Sequence, residues 1–215
     1  MTHLGVSKAV NIGYEYAREY CEQNNIFYDF IWTIDGDQVL EPDVCGGINL
    51  HIERDGTIGA ASGQVYNPDG TPDIYPDGEL PNKRVYRREA IESIGGFPVT
   101  VYSYDTVILA KLRMDRWGIK SFPEYSILNL RADSGIERDD WKSSVQFGKA
   151  RYYLGYSFLL LVMGCGYLVS QKKVKKSVGV FWGYLTSWMN RDEVIEDKEV
   201  WNHFHNERLK EVLKQ

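Results

Sequence analysis

The chain has 215 residues, 43% of them hydrophobic, and a formal net charge of −5. That length fits one domain with or without an appendage, and the apolar share supports a sizeable core. The acidic balance leaves no global basic field to recruit nucleic acid. Cys21, Cys45 and Cys165 lie far apart with no C-x-x-C pair, which argues against a disulfide framework or a zinc site and points to a reducing, cytoplasmic compartment.

The first segment, MTHLGVSKAVNIGYEYAREY, has no unbroken apolar run of the kind a signal peptide carries. Val6, Val10, Tyr14, Ala17 and Cys21 fall near one face of a helix over residues 5–22. Residues 27–34 read as a strand buried on both faces, hence a strand of a parallel sheet. Pro42 and Asp43 suit a helix start. Val44, Ile48 and Ile52 repeat every four residues up to Gly56. Residues 57–67 read as a second strand. The stretch NPDGTPDIYPDGELPNK, residues 67–83, is a long loop, and long loops in compact domains are often functional. A helix over 87–97 closes on Gly95-Gly96, another runs over 105–118, and residues 119–131 read as a strand. Alternating helices and strands predict an α/β fold with a mostly parallel sheet flanked by helices. The pattern opens on a helix, so the sheet lacks its usual first strand.

The chemistry concentrates in three places. Asp35-Gly36-Asp37 follows the first predicted strand. In an open α/β sheet ligands sit beyond the carboxyl ends of strands. Two carboxylates there can share Mg²⁺ or Mn²⁺ with the phosphates of a substrate. The same string also makes an ordinary capped turn. Asp105 stands at a helix start, as an N-cap or as a general base taking a proton from a hydroxyl. Arg131, ending Asn129-Leu130-Arg131, is either a surface arginine or a bidentate phosphate ligand.

Taken together, GVSKAVNIGYEYA (5–17), WTIDGDQVLEPD (32–43), YRREAIESIGGFP (86–98) and YDTVILAKLRMDRWGIKSFPE (104–124) resemble the family 2 glycosyltransferases of GT-A fold. GKARYYLGYSFLLLV (148–162) and GVFWGYLTSWMNRD (179–192) resemble the tail of a prokaryotic, membrane-associated subset. The resemblance implies an inverting transferase that moves a sugar from a nucleotide-diphosphate donor to a glycan or lipid-linked acceptor in cell-surface or lipid-linked glycan synthesis. It implies Mn²⁺ or Mg²⁺ on Asp37 and Asp35, with Asp35 near ribose or sugar. Asp105 would be the base, and Arg88 and the loop 67–83 would help form the donor and acceptor sites. The chain departs from the family at Tyr104-Asp105, where Glu-Asp is general, and at Asn129, where the subset has His; a third metal ligand is therefore in doubt. The family also begins with two strands that would precede Met1. The resemblance thus implies a chain without its nucleotide-binding start, from a truncated frame, a late start codon or a split enzyme whose partner chain supplies the strands. An exposed sheet edge and association in solution are the expected consequence.

The expected organisation is a catalytic domain over 1–147 and a helical tail over 148–215. Residues 152–169 are uncharged, at the lower bound of the roughly 17–25 residues that span a bilayer. With Lys172, Lys173, Lys175 and Lys176 following, this run and residues 178–189 are expected to contact a membrane surface through 152–190, peripheral at its cytoplasmic face, with a spanning helix or a helical pair that simply packs on the sheet as the alternatives. Residues 191–215 read as an amphipathic helix. His203 and His205 are two apart, a poor spacing for one metal on a helix. Three further readings are a non-catalytic or partner-dependent fragment, an aspartate-nucleophile phosphatase and a calcium loop. Gln38 after the acid pair weighs against the second, and the missing third oxygen ligand against the last.

Overall fold

The structure, a computed structural model, describes residues 3–73, 80–81, 83–131 and 141–210. It divides into two compact units, Met1–Asp133 and Ser134–Gln215.

The first unit is a helix-flanked sheet. Its elements in order are α1 (His3–Gln23), β1 (Phe30–Thr33), β2 (Gln38–Leu40), α2 (Val44–Arg54), β3 (Ile58–Tyr66), β4 (Arg84–Arg87), α3 (Arg88–Ser93), α4 (Tyr104–Met114) and β5 (Gly118–Asn129). The strands lie in the order β1-β4-β3-β5-β2. Only β3 and β5 run parallel; β1–β4, β4–β3 and β2–β5 are antiparallel. The mostly parallel sheet expected from the sequence is therefore a mixed one. Two short strands account for the difference. β2 lies in the short apolar step between the Asp35-Gly36-Asp37 turn and Pro42, and β4 between the loop 67–83 and the helix expected from residue 87. Each pairs back antiparallel to a longer strand.

The period-2 rule divides the core between the two faces of the sheet. Ala60 and Tyr86 point to a cluster with Tyr14, Ile91, Phe97 and Leu109, beneath α1, α3 and α4. Their chain neighbours Ala61 and Val85 point the other way, to Ile48, Ile52 and Ile127, beneath α2. Each fully buried isoleucine there contributes about 1.5–3 kcal/mol by leaving water. β1 is one of the two edge strands, with β2 at the other side, and its outer edge has no partner strand among the described residues. For that reason its four residues are half-buried rather than buried on both faces. Phe27 and Ile34, read as strand residues, lie outside it and are exposed.

α3 ends as the sequence predicts: Gly96 N–H donates to Ile91 O at 2.8 Å, and both Gly95 and Gly96 take positive φ. α4 stops earlier than expected. Gly118 starts β5 instead of ending the helix, its N–H donating to Thr57 O at 2.7 Å. Of the loop 67–83, residues 74–79 and 82 lie outside the described residues.

The second unit is helical: α5 (Trp141–Tyr153), α6 (Phe158–Ser170), α7 (Val174–Asn190) and α8 (Lys198–Asn202), which runs on through a π turn at His203–Glu207. The uncharged run 152–169 is not one helix. Gly155 breaks it at φ +85, where any Cβ would strike the Trp201 ring. Ser157 then caps α6 by accepting from Leu160 N–H. Among the described residues, no helix is long and apolar enough to cross a membrane. The expected helix over 191–215 forms only from Lys198 onward, capped by Asp197, whose Oδ1 accepts from Glu199 and Val200 N–H at 3.1 Å; residues 211–215 lie outside the described residues. His205 is held structurally, with Nδ1 3.0 Å from Gly155 O and its ring stacked on Trp201.

Candidate active site

β1 delivers Asp35 past its carboxyl end, and Asp35-Gly36-Asp37 turns the chain into β2. The turn is tied on both sides. Asp35 N–H donates to Gln38 Oε1 at 2.9 Å. Asp37 O accepts from Leu130 N–H at 2.8 Å. Gln38 is also the ladder partner of Asn129, and its Nε2 lies 3.4 Å from Asn129 Oδ1. The acid pair and the Asn129-Leu130-Arg131 segment, read separately in the sequence, thus sit side by side. Arg131 is exposed there. Asn129 is buried, and its Nδ2 has no hydrogen-bond partner among the described residues. A buried donor left unmade costs about 1–3 kcal/mol, so it marks a place where a polar atom of water or ligand fits.

Asp105 reaches the same neighbourhood from α4. It is not the N-cap. That position belongs to Ser103, which holds left-handed backbone at φ 49 and makes no side-chain cap bond. A non-glycine residue in that region is strained by of order 1–3 kcal/mol, and such strain clusters at functional sites. Asp105 therefore lies in the first turn, where the helix dipole favours its charge. Beside it is Tyr104. Burial pushes the Tyr104 hydroxyl well above the ordinary phenol range, and the neighbouring Tyr86, Asp105 and Asp35 push it further. Asp35, distant in the chain, lines the same cavity as Tyr104.

A cation underlies the group. Arg84 is almost fully buried on β4, opposite Thr33. Its guanidinium donates to Pro81 O at 2.6 Å, Leu80 O at 3.0 Å and Asp105 O at 3.3 Å. Two residues on, and so on the same face, burial raises the Tyr86 hydroxyl, which hydrogen-bonds with Arg84 and Thr33. A buried charge is tolerated only when paired and hydrogen-bonded; here three carbonyls and a phenol satisfy the fork. Sequence reading missed Arg84 and Tyr86, because residues 84–86 fell between the loop 67–83 and the helix expected over 87–97 and were given no element. The available signal was the alternation Arg84-Val85-Tyr86-Arg87.

A cavity of about 470 Å³ opens beside Asp35 and Tyr104, between α1 and β1. Tyr14, Thr33 and Phe97 line it further, and burial pushes the Tyr14 hydroxyl up to about 12. Arg88 is not part of this neighbourhood. It follows Arg87, the ladder partner of Phe30, whereas Arg84 pairs with Thr33 next to the acids. Three ladder steps, about 10 Å, separate those two ends. Arg88 instead lays its guanidinium over Phe27, 4.7 Å from the ring centroid, with Glu92 3.8 Å away.

Among the described residues, no group of three or more His, Cys, Asp or Glu side chains converges as a metal cage. Asp35 and Asp37 offer carboxylate oxygens only. That set suits a hard divalent cation completing its shell with water and substrate phosphates and does not suit zinc.

No family model matches the chain, and no curated protein does. Among solved structures it is similar to a mannosyltransferase from Pyrobaculum calidifontis in complex with GDP-Man and Mn2+, at 16% identity and a TM-score of 0.43. The likeness covers 62% of this chain and 40% of that one, so the chain spans less than half the length of the protein it matches. A likeness this slight carries no argument about function.

Proposed function

We propose that the first unit is the core of an inverting glycosyltransferase, moving a sugar from a nucleotide-diphosphate donor to a hydroxyl of a glycan or lipid-linked acceptor. One observation carries the reading. Asp35 and Tyr104 line one cavity at the carboxyl end of β1, and Asp105 follows Tyr104 in the first turn of α4. Asp37 and Arg131 stand at the adjoining turn.

Asp37, with Asp35, would hold Mn²⁺ or Mg²⁺, which when bound neutralises charge on the departing diphosphate. The residues of the chain divide the remaining work. The exposed Arg131 is free to swing onto a phosphate, and the unpartnered Nδ2 of Asn129 offers a donor beside it. The Asp105 carboxylate takes the proton of the acceptor hydroxyl. The acceptor oxygen then bonds to the anomeric carbon from the face opposite the diphosphate, and the bond to the diphosphate oxygen breaks with inversion. Arg84 holds the α4 start by its bond to Asp105 O and so positions the base.

A second reading has its own support. The outer edge of β1, next to the cavity, has no partner strand among the described residues. This fits a partner-dependent fragment whose donor site is completed by strands from another chain.

Calorimetric titration of UDP and of GDP, each with and without Mn²⁺, tests both readings. Metal-dependent binding of either is expected if this chain alone forms the donor site, and Asp37→Ala should abolish the metal dependence. In a transfer assay Asp105→Asn should lower kcat by about 10²–10⁴, the span of general-base catalysis, with nucleotide affinity unchanged. Full turnover in either variant overturns the assigned role. No nucleotide binding to the wild-type chain favours the partner-dependent fragment.

A further inference from the structure

α7 is turned the wrong way round for a water-soluble bundle. Its buried face is built of small residues, Ser177, Gly179, Val180, Gly183 and Ser187. That face meets α5 so closely that a Cβ on Gly183 would strike the Val145 carbonyl, and one on Gly148 of α5 the Val180 carbonyl. Its large apolar residues face out. Val174, Val178, Trp182 and Met189 are 52–66% exposed. With Leu185 they are spaced 4, 4, 3 and 4 apart, one stripe along the helix. α6 buries Leu160 and Leu161 but also presents large apolar residues outward, with Phe158, Leu159, Val162 and Val169 exposed. Helices that pack through small residues and present large apolar ones outward are arranged as helices in lipid are.

Charge completes the picture. From Trp141 to Arg191 the sequence has eight Lys and Arg and no Asp or Glu, in a chain whose net charge is −5. Lys172, Lys173 and Lys175 are exposed at the α6–α7 turn, beside Val174 of the stripe. Nucleic acid would match the lysines but leave the tryptophan and valine stripe wet. An anionic lipid surface matches both at once. Crossing is not required: α6, at 13 residues, is about 20 Å long against about 30 Å of hydrocarbon.

We propose that the exposed faces of α6 and α7 form a peripheral docking surface for an anionic bilayer, with the apolar stripe at the acyl boundary and the lysine turn on the headgroups. The proposal stands independently of the transferase reading.

Flotation of the full chain tests it, with vesicles of phosphatidylcholine alone and of phosphatidylcholine with phosphatidylglycerol. The chain should float with the anionic vesicles and be released by salt. Replacing Lys172, Lys173 and Lys175 by alanine should weaken binding about fivefold per lysine at low salt. Trp182→Ser should weaken it at every salt concentration, with an unchanged circular dichroism spectrum because the side chain is exposed. Three results overturn the proposal. The chain could fail to float with either vesicle, or bind both equally with the lysine variants unaffected. It could also form a lipid-free dimer that Trp182→Ser converts to a monomer, which would assign the surface to a second copy of the chain.

Discussion

The two units solve the burial problem in opposite ways. In the first, large side chains go inward: Ile48, Ile52, Ile91 and Ile108 from the helices and Ile127 from β5 are all but fully buried against the two faces of the sheet. In the second, α5 and α7 meet largely through glycine and serine, while Val174, Val178, Trp182, Trp188 and Met189 of α7 stay outside. Water rewards the first arrangement by about 25 cal/mol for each Å² of apolar surface removed from it. The second forgoes that reward over much of its surface, and an apolar surroundings would restore it. On the docking proposal above, the two halves of one chain are fitted to different solvents.

Changes that probe each kind of interior break or sharpen this contrast. The largest stability effect belongs to the first unit. Ile48→Ala leaves a cavity under α2 and should cost about 2–5 kcal/mol, read as a lower urea midpoint by far-ultraviolet circular dichroism. A loss below about 0.5 kcal/mol would mean that this core is not close-packed. The next belongs to the second unit. Gly183→Leu forces a side chain against the Val145 carbonyl, which cannot move aside as a side-chain tip can. It should cost about 1–3 kcal/mol, whereas Trp182→Ser on the opposite face should cost less than about 0.5 kcal/mol in water. Equal effects of the two would erase the inside-out reading of α7.

The smallest effect is on alkaline stability. Burial raises the Tyr14 hydroxyl to about 12, against about 10 in the unfolded chain. Between those values the unfolded state has given up a proton that the folded state keeps. The stability contributed by the neutral phenol is therefore whole below pH about 10 and drains away as pH rises to about 12. Tyr86 and Tyr104 are raised for the same first reason in the first unit, and Tyr184 in the second. Urea midpoints across that range should fall for the wild-type chain and fall less for Tyr14→Phe. An identical slope in both would mean that Tyr14 is solvated.

What could be read early was whatever depends on neighbours in the chain. The four-residue repeat of Val44, Ile48 and Ile52 marks the buried face of α2, and the Gly95-Gly96 stop closes α3 where positive φ is needed. The acid pair Asp35 and Asp37 is equally local, because a strand that runs into Asp-Gly-Asp must turn there. β4 and Arg84 were not legible. A four-residue strand with an arginine on its buried face reads as loop until three carbonyls from Leu80, Pro81 and Asp105 are seen to satisfy it. β2 was hidden in the same way, since three residues become a strand only by pairing with β5.

The amino-acid sequence by itself determined the alternation of helices and strands, the acids at the end of β1, and a basic, acid-free stretch around a set of apolar helical residues. Periodicity, turn chemistry and charge are local properties, and no folding is needed to see them. Only the tertiary structure decided that the sheet is mixed, that Asp35 and Tyr104 line one cavity, that Arg88 stands at the other end of the strands, and that α7 buries Gly179 and Gly183 and exposes its tryptophans. Each of those depends on which segments pair across long loops and which helix face packs inward. That choice is made by total burial and hydrogen-bond satisfaction over the whole unit, and no window of the chain contains it.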